Sequence, residues 1–429
     1  MKAIGIDIGT TSICGILLDC TSGQILKSVT QNSNAFLHTS REWEKIQDTQ
    51  KIIQIAKGIC DSLLCEDVAV IGITGQMHGI VYFDKEGYAV SPLYTWQDGR
   101  GNHPYKDGKT YGEFLNLPSG YGYVTDFYNI QNGIRPKNAV GYCTIHDYFA
   151  MVISNRKTPL LHTSNAASFG DFDLRTNQFN HPFFGDITPD FALAGSYQGI
   201  PVSVAIGDNQ ASVFGALRDD DSILLNIGTG SQISVISPTI LEGENIEIRP
   251  YMEGNYLIVG AALCGGRSYS MLEKFFSAVV LAATGKKLNM YDVMDKMAPG
   301  ETSHILADTR FSGTRRDHAL TGSLTGITTE NFTPGEVRHA FLQGIIGELL
   351  SMYQEMDVIK SSLVGSGNGI RKNKALIREA EQAFDAAMQI PVHMEEAAFG
   401  AALFGMAATG KFGSVQRIKQ IIRYQEREI

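Results

Sequence analysis

Asp208 is the residue whose surroundings most plainly suit it to chemistry. The apolar run Val202–Ile206 delivers Gly207, Asp208 and Asn209 to the start of a small-residue helix in VSVAIGDNQASVFGAL. A carboxylate at a helix N-terminus is oriented by backbone dipoles and can accept a proton from a substrate hydroxyl. The same position also suits a plain helix cap, and taken alone the stretch favours the cap. Asp7 interrupts Ile4, Ile6 and Ile8, and a carboxylate buried in such a run needs a partner. Beside the turn Gly9-Thr10-Thr11-Ser12 that partner is either a divalent metal carrying phosphates or the turn itself.

Two polar loops have the makings of a sugar site. TGQMHG offers Gln76 and His78 as donors or acceptors, with Met77 as an adaptable wall. TWQDGR offers the indole face of Trp96 with Asp98 and Arg100. Polyols are recognised by an apolar face together with several planar hydrogen-bonding groups, and these loops hold both. The competing reading is a satisfied loop histidine at position 78 and a surface ion pair at 98–100. A third glycine-rich stretch, Val364–Asn373 (VGSGNGIRKN), follows a probable strand and opens a helix near Lys374. Gly365, Gly367 and Gly369 let the backbone approach a flat ligand, and Asn373 is a candidate partner for a base. The spacing is GxGxG, without the strand–helix–strand context of a dinucleotide fold, and no Walker A pattern is present.

These residues must be positioned by strands and helices, and an internal echo shows how. IGIDIGTTS near the N-terminus returns half a chain later as LNIGTGS, with Asp7 and Asn226 in matching places. Each segment puts Gly-Thr and a small hydroxyl residue after a β-rich run, and another apolar strand follows (Ile13–Leu18, Ile233–Ile236). Each reads as a hairpin whose turn exposes backbone N–H groups. One such turn is weak evidence; two of them predict related domains at 1–218 and 219–429, facing one anionic ligand, with the boundary in RDDDS at Arg218–Ser222. Asp67–Phe83 reads as strand, loop, strand. The Gly-, Tyr- and Pro-rich stretch Asn102–Asn138 reads as irregular. Thr333-Pro334-Gly335-Glu336 is a helix start, and Val337, Phe341, Ile345 and Leu349 make its core face. Glu395–Thr409 reads as a closely packed structural helix and Gln416–Glu428 as a solvated surface helix.

Composition sets the bounds. The 429 residues carry 36 Lys+Arg against 45 Asp+Glu, a net charge of −9, which argues against general nucleic-acid affinity. Hydrophobic residues make up 43%, enough for a large core, and the length points to two domains. The six cysteines are too sparse for a disulfide framework or zinc knuckles, so reduced thiols are expected. No apolar stretch approaches the roughly 20 residues of a membrane helix. A cytoplasmic protein acting on a small molecule is expected, without nucleic acid or membrane partners; a homodimer is allowed.

In order along the chain, GIDIGTTS, TGQMHG, TWQDGR, GDNQAS, NIGTGS and GSGNG resemble the FGGY carbohydrate kinases. The resemblance covers nearly the whole chain, and the six motifs in order are far more specific than any one of them. TIHDY at Thr144–Tyr148, SNAASFG at Ser164–Gly170 and GSGNGIRKN look most like the sedoheptulokinases within that family. The resemblance implies an α/β, two-domain actin/hexokinase-like (ribonuclease H-like) fold with an inter-domain nucleotide and sugar cleft. It implies ATP and Mg²⁺ as cofactors and a ketose as substrate, with D-sedoheptulose going to sedoheptulose 7-phosphate. Carried over residue by residue, it puts Gly9, Thr10, Thr11, Ser12, Gly228, Thr229 and Gly230 at the phosphates and Gly266, Gly367 and Asn373 around the adenosine. Gln76, Met77, His78 and Asn209 would meet the sugar, with Trp96, Asp98 and Arg100 completing that site. Asp208 would be the catalytic base, and Asp7 with Asp208 would hold the metal. The phosphate turn Gly-Thr-Gly-Ser has fewer hydroxyls than is usual, and Arg267 stands where a small residue is more common. A pentulose such as xylulose, or a non-catalytic nucleotide-binding protein of the actin-like fold, are the competing readings.

Overall fold

Each Gly-Thr turn closes a hairpin, and each hairpin lies inside its own six-stranded sheet. Lys2–Ile8 pairs antiparallel with Ser12–Asp19, Ile8 opposite Ile13. Ser222–Ile227 pairs antiparallel with Ser231–Ser237, Ile227 opposite Ser231. In the computed structural model, which describes residues 1–298, 304–314, 317 and 319–426, the first sheet runs in the order Leu193–Tyr197, Ile200–Gly207, Val68–Gly75, Lys2–Ile8, Ser12–Asp19, Ile25–Asn32. The second runs Ile246–Pro250, Tyr256–Ala262, Ser231–Ser237, Ser222–Ile227, Ser362–Ser366, Met388–Gln389. Beyond the hairpin both sheets continue with two parallel strands. The echo in the sequence is thus a repeat in topology, and the chain has the two-domain α/β actin-like fold.

Parallel strands require crossover connections, and helices supply them. The helix Thr49–Leu63 starts on Asp48, whose carboxylate accepts from the Lys51 N–H at 3.0 Å. Its Ile52, Ala56, Ile59 and Leu63 are buried at helical spacing. Gly15 of the sheet leaves no room for a side chain beneath Ile59 and Leu63. A different solution serves the helix Glu396–Thr409, buried continuously from Ala398 to Met406. A Cβ on Gly5 would lie 1.9 Å from the Ala398 carbonyl oxygen, and one on Gly72 1.8 Å from that of Ala401. Backbone meets backbone there, so the structural reading of the alanine–glycine stretch agrees with its packing.

The register of the first sheet decides where the chemistry sits. Ile8 pairs with Gly75, and Gly75 pairs with Gly207, so three parallel strands end in one row. The residues that follow, Gly9, Gln76 and Asp208, therefore emerge side by side at the carboxyl edge, where open α/β sheets bind ligands. The second sheet repeats the arrangement, with Asn226 level with Ser366.

By packing, the first unit comprises Met1–Arg218, Arg249–Tyr256 and Glu395–Arg423; the second comprises Asp219–Ile248, Leu257–Met394 and Tyr424–Ile429. Two segments that chain order puts in the second half thus join the first unit: the apolar Glu396–Thr409 helix buries itself against that unit's sheet, and Arg249 and Pro250 bond Asn209 and Gln210. Two other expectations need correction. Asn102–Asn138 is not irregular: it holds the helices Tyr111–Leu115 and Gly122–Gln131. The first is set by a capping box between Thr110 and Glu113 and ends on Asn116 in the left-handed region. The stretch Gln416–Glu428 forms only the short helix Val415–Lys419, with Ile418, Lys419 and Ile422 buried, so it is an anchored segment. Residues 427 and 428 lie outside the described residues. The expected helix at Thr333 is present as Pro334–Glu355, with Phe341, Ile345 and Leu349 buried and Val337 half-buried. All six cysteines are free.

Candidate active site

In the first unit the strand ends bring Asp7, Gln76 and Asp208 together. Asp208 opens the helix Asp208–Ala216 and receives hydrogen bonds from backbone N–H groups there, its own and that of Asn209. Burial pushes its carboxyl up to about 6; the nearby Arg249 guanidinium and the two backbone donors oppose that rise. Asp7 is pushed up further, to about 7, by burial first and then by the charges of Asp208 and Glu395. One of its oxygens, Oδ1, is buried with no hydrogen-bond partner. Of the two sequence readings, the turn therefore does not satisfy Asp7. Asp7 thus feels the charges of two further carboxylates, Asp208 and Glu395, and Arg249 offsets that of Asp208.

The Gln76 and Trp96 loops are wired to the Gly9–Ser12 turn. Thr10 Oγ1 donates to Gln76 Oε1 at 3.2 Å and accepts from Trp96 Nε1 at 3.0 Å. The fully buried Gln47 accepts from Gln76 Nε2 at 3.1 Å and donates to the Thr10 carbonyl at 2.7 Å. Trp96 itself is 48% exposed, so its ring offers an open face. His78 is held with φ +70, an unusual conformation for a non-glycine residue. Its Nδ1 donates to the Ser168 carbonyl at 2.8 Å, which makes Nε2 the acceptor of the neutral ring. Tyr121 stacks on the ring at 4.3 Å. Met77 is buried against Gly207, directly behind Asp208. Asn209 accepts from Arg249 Nη1 at 3.1 Å.

Asp98 and Arg100 are a correction to both sequence readings. Each is 1% exposed. Asp98 accepts from Arg100 Nε at 2.7 Å, from Arg100 Nη2 at 3.1 Å and from the Lys45 N–H at 3.0 Å. The guanidinium also lies 4.2 Å from the Tyr94 ring and bonds Asn129. The pair is neither on the surface nor presented to a ligand; it is the internal frame of the Trp96 loop. The segment 102–138 now has a role as well: it brings Tyr121 to His78, Asn129 to Arg100, and Ser119 to the Asp98 carbonyl at 3.1 Å.

The second unit has its own cavity, of about 830 Å³, lined by Gly228, Thr229, Gly266 and Asn373 among the expected residues. Gly266 N donates to the Gly228 carbonyl at 2.9 Å and Arg267 N to the Thr229 carbonyl at 3.0 Å, so the hairpin turn and the start of the helix Gly266–Thr284 interlock. Gly367, at φ +82, closes against Ile227, where a side chain would strike the backbone. Gly230 packs beside the same turn. Asn373 Oδ1 is engaged in capping the helix Lys374–Phe384, accepting from Ala375 N and Leu376 N at 3.1 and 3.0 Å. Its expected contact with a base thus falls to its remaining amide hydrogens or to a neighbour. Arg267, Lys274 and Lys372 also line the cavity and give its wall three cations.

Residues 2–113 match the N-terminal domain of the FGGY family of carbohydrate kinases. Sedoheptulokinases of Homo sapiens and Mus musculus are 29% and 28% identical, each alignment covering 93% of this chain and 96% of the relative. The family likeness thus covers the N-terminal part, and the likeness to sugar kinases runs over 93% of the chain. The protein is an ATP-dependent sugar kinase, and its fold agrees. The solved xylulose kinase of Rhodospirillum rubrum superposes with a TM-score of 0.85 at 17% identity, over 99% of this chain and 93% of that one. A Plasmodium falciparum glycerol kinase structure with ADP gives 0.76 at 16% identity, over 99% and 93%. No described helix of this kinase is long and apolar enough to cross a membrane. Sequence reasoning missed Gln47, Tyr121, Arg249 and Glu395, which carry no motif of their own; Arg249 and Glu395 reach the site only because their segments pack on the first unit.

Proposed function

We propose that this kinase transfers the γ-phosphoryl group of ATP to the terminal primary hydroxyl of D-sedoheptulose, forming sedoheptulose 7-phosphate and ADP. The observation that carries the chemistry is Asp208, fixed at a helix start beside Asp7, with a carboxyl raised to about 6. A base with a pKa just below neutrality is ionised at pH 7 yet retains some basicity. As the sugar oxygen bonds to phosphorus, its proton passes to Asp208, and the bond between the γ-phosphorus and the bridging oxygen breaks to release ADP. Gln76, His78 and Asn209 orient the hydroxyls, and the Trp96 face covers the apolar side of the sugar. Met77, packed on Gly207, holds the base from behind. The Gly228–Gly230 turn and the cavity at Gly266, both in the second unit, take the nucleotide.

The unsatisfied Asp7 oxygen, with Asp208 beside it, fits a divalent cation. Among the described residues no group of three or more His, Cys, Asp or Glu side chains is placed to hold a metal ion, so Mg²⁺ would take its remaining ligands from phosphates and water. Bound there, Mg²⁺ would offset charge on the transferring phosphates.

The heptulose reading rests on the two sedoheptulokinase relatives. ADP release is to be measured with Mg-ATP alone and then with sedoheptulose, xylulose, ribulose and fructose. Stimulation by sedoheptulose above the others supports the proposal. Preference for a pentulose replaces the substrate and keeps the mechanism. Binding of ATP with no stimulation by any sugar overturns it.

A further inference from the structure

Behind the strand ends lies a buried polar network that the sugar loops and phosphate turns do not account for. It is built by TIHDY and SNAASFG, on the helices Ile145–Ile153 and Thr163–Ser168. Asn165 Nδ2 donates to the Ala205 carbonyl at 3.0 Å and to Asp147 Oδ1 at 2.8 Å, while Asn165 Oδ1 is 2.9 Å from His146 Nε2. Thr144 Oγ1 closes the far side on Asp147 Oδ2 at 2.6 Å. One residue earlier, Ser164 Oγ accepts from the Gly207 N–H at 3.0 Å and donates to His162 Nδ1 at 2.8 Å. The Ser164 N–H also donates to that nitrogen, at 3.1 Å, so the ring is held neutral with Nδ1 as acceptor. Ser164, Asn165, His162, His146 and Asp147 are all at most 1% exposed.

The network's two contacts with the Ile200–Gly207 strand fall on Ala205 and Gly207, the last of which immediately precedes Asp208. Gly207 ends the strand opposite Gly75, and the atoms nearest a Cβ there belong to the flexible ends of Met77 and Gln210. Where the strand gives way to the Asp208 helix, the Ser164 hydroxyl holds the Gly207 N–H, and the His162 acceptor sets which way that hydroxyl points.

We propose that Ser164 is a positioning residue for phosphoryl transfer: its hydroxyl clamps the Gly207 N–H and thereby fixes the direction in which the Asp208 carboxylate leaves the strand. The inference rests on the reading of Asp208 as the base. Alignment of reacting groups is worth orders of magnitude in rate, so a clamp of this kind acts on kcat. In the full-length protein, Ser164→Ala lowers kcat by about 10-fold, with KM for ATP and ketose changed less than about twofold. Ser164→Thr, which keeps the hydroxyl, recovers most of the loss. In an Asp208→Asn background Ser164→Ala has no further effect, because the residue it positions is gone. An equal loss in both backgrounds, or an unchanged kcat in the single variant, overturns the proposal. Amide hydrogen exchange at Gly207 separates this from the function itself. Faster exchange in Ser164→Ala establishes the clamp even if no ketose is turned over, and unchanged protection removes it whatever the activity.

Discussion

Asp208 and Asp7 show how one physical term serves two ends. Burial raises both carboxyls, yet a base must be ionised to accept a proton, so kcat falls as pH drops through about 6. A pH–rate profile of the wild-type enzyme checks this; an acid limb that survives unchanged in Asp208→Asn would assign the titration to another group. That variant retains ATP binding and loses at least about 100-fold in turnover, and near-normal turnover would remove Asp208 as the base. For Asp7 the consequence is in stability. A carboxyl raised from 3.8 to about 7 on folding holds its proton more tightly in the native state. It therefore costs nothing below pH 3.8, and costs progressively more as pH rises toward 7. Asp7→Asn in the metal-free protein raises the melting temperature by a few degrees at pH 8 and hardly at pH 4. Equal shifts at both pH values would contradict burial as the cause.

The elements around the site divide into those that tolerate change and those that cannot. The Glu396–Thr409 helix lies with its backbone on the sheet, so Gly72→Ala drives a methyl group to 1.8 Å from the Ala401 carbonyl oxygen, and Gly400→Ala does the same at Ala211. Neither contact yields by rotating a side chain, and each substitution costs about 1–3 kcal/mol or more. Gly58, in the exposed face of the Thr49–Leu63 helix, has nothing within 4 Å of a Cβ. Gly58→Ala therefore stabilises by about 0.5–1 kcal/mol. Urea unfolding of the three variants gives opposite signs if backbone packing decides, and a common sign if helix propensity does. The Trp96 loop is likewise a matter of framing: Asp98 and Arg100 act on sugar recognition only through the loop they hold.

At the scale of the molecule, two similar sheets divide the labour. The first holds Asp208, Asp7 and the proposed sugar loops; the second holds the cavity at Gly228, Gly266 and Asn373. Hydrogen exchange with single ligands reads this division. ADP slows exchange around Gly228–Thr229, Gly266–Lys274 and Asn368–Leu376, and a bound ketose slows it at Gln76–His78 and Asp208. ADP protection confined to the first unit would refute the assignment.

By itself the sequence determined the repeat, the two hairpin turns, the Thr333 helix start and the glycine-rich turns. These are local, because a hairpin or a cap is set by a few neighbouring residues and their allowed dihedrals. It also marked Asp208 and Asp7, since a carboxylate in an apolar run is conspicuous. Tertiary structure alone decided what surrounds each marked residue. Asp98 and Arg100 read as ligands or surface pair and proved to be an internal ion pair, because burial is a property of everything packed around them. Arg249, Glu395 and Gln47 carry no local signal at all; they reach the site through sheet register and helix packing between residues far apart in the chain. The Tyr-rich segment read as irregular because its helices are short, and their aromatic faces find partners only against the loops they support.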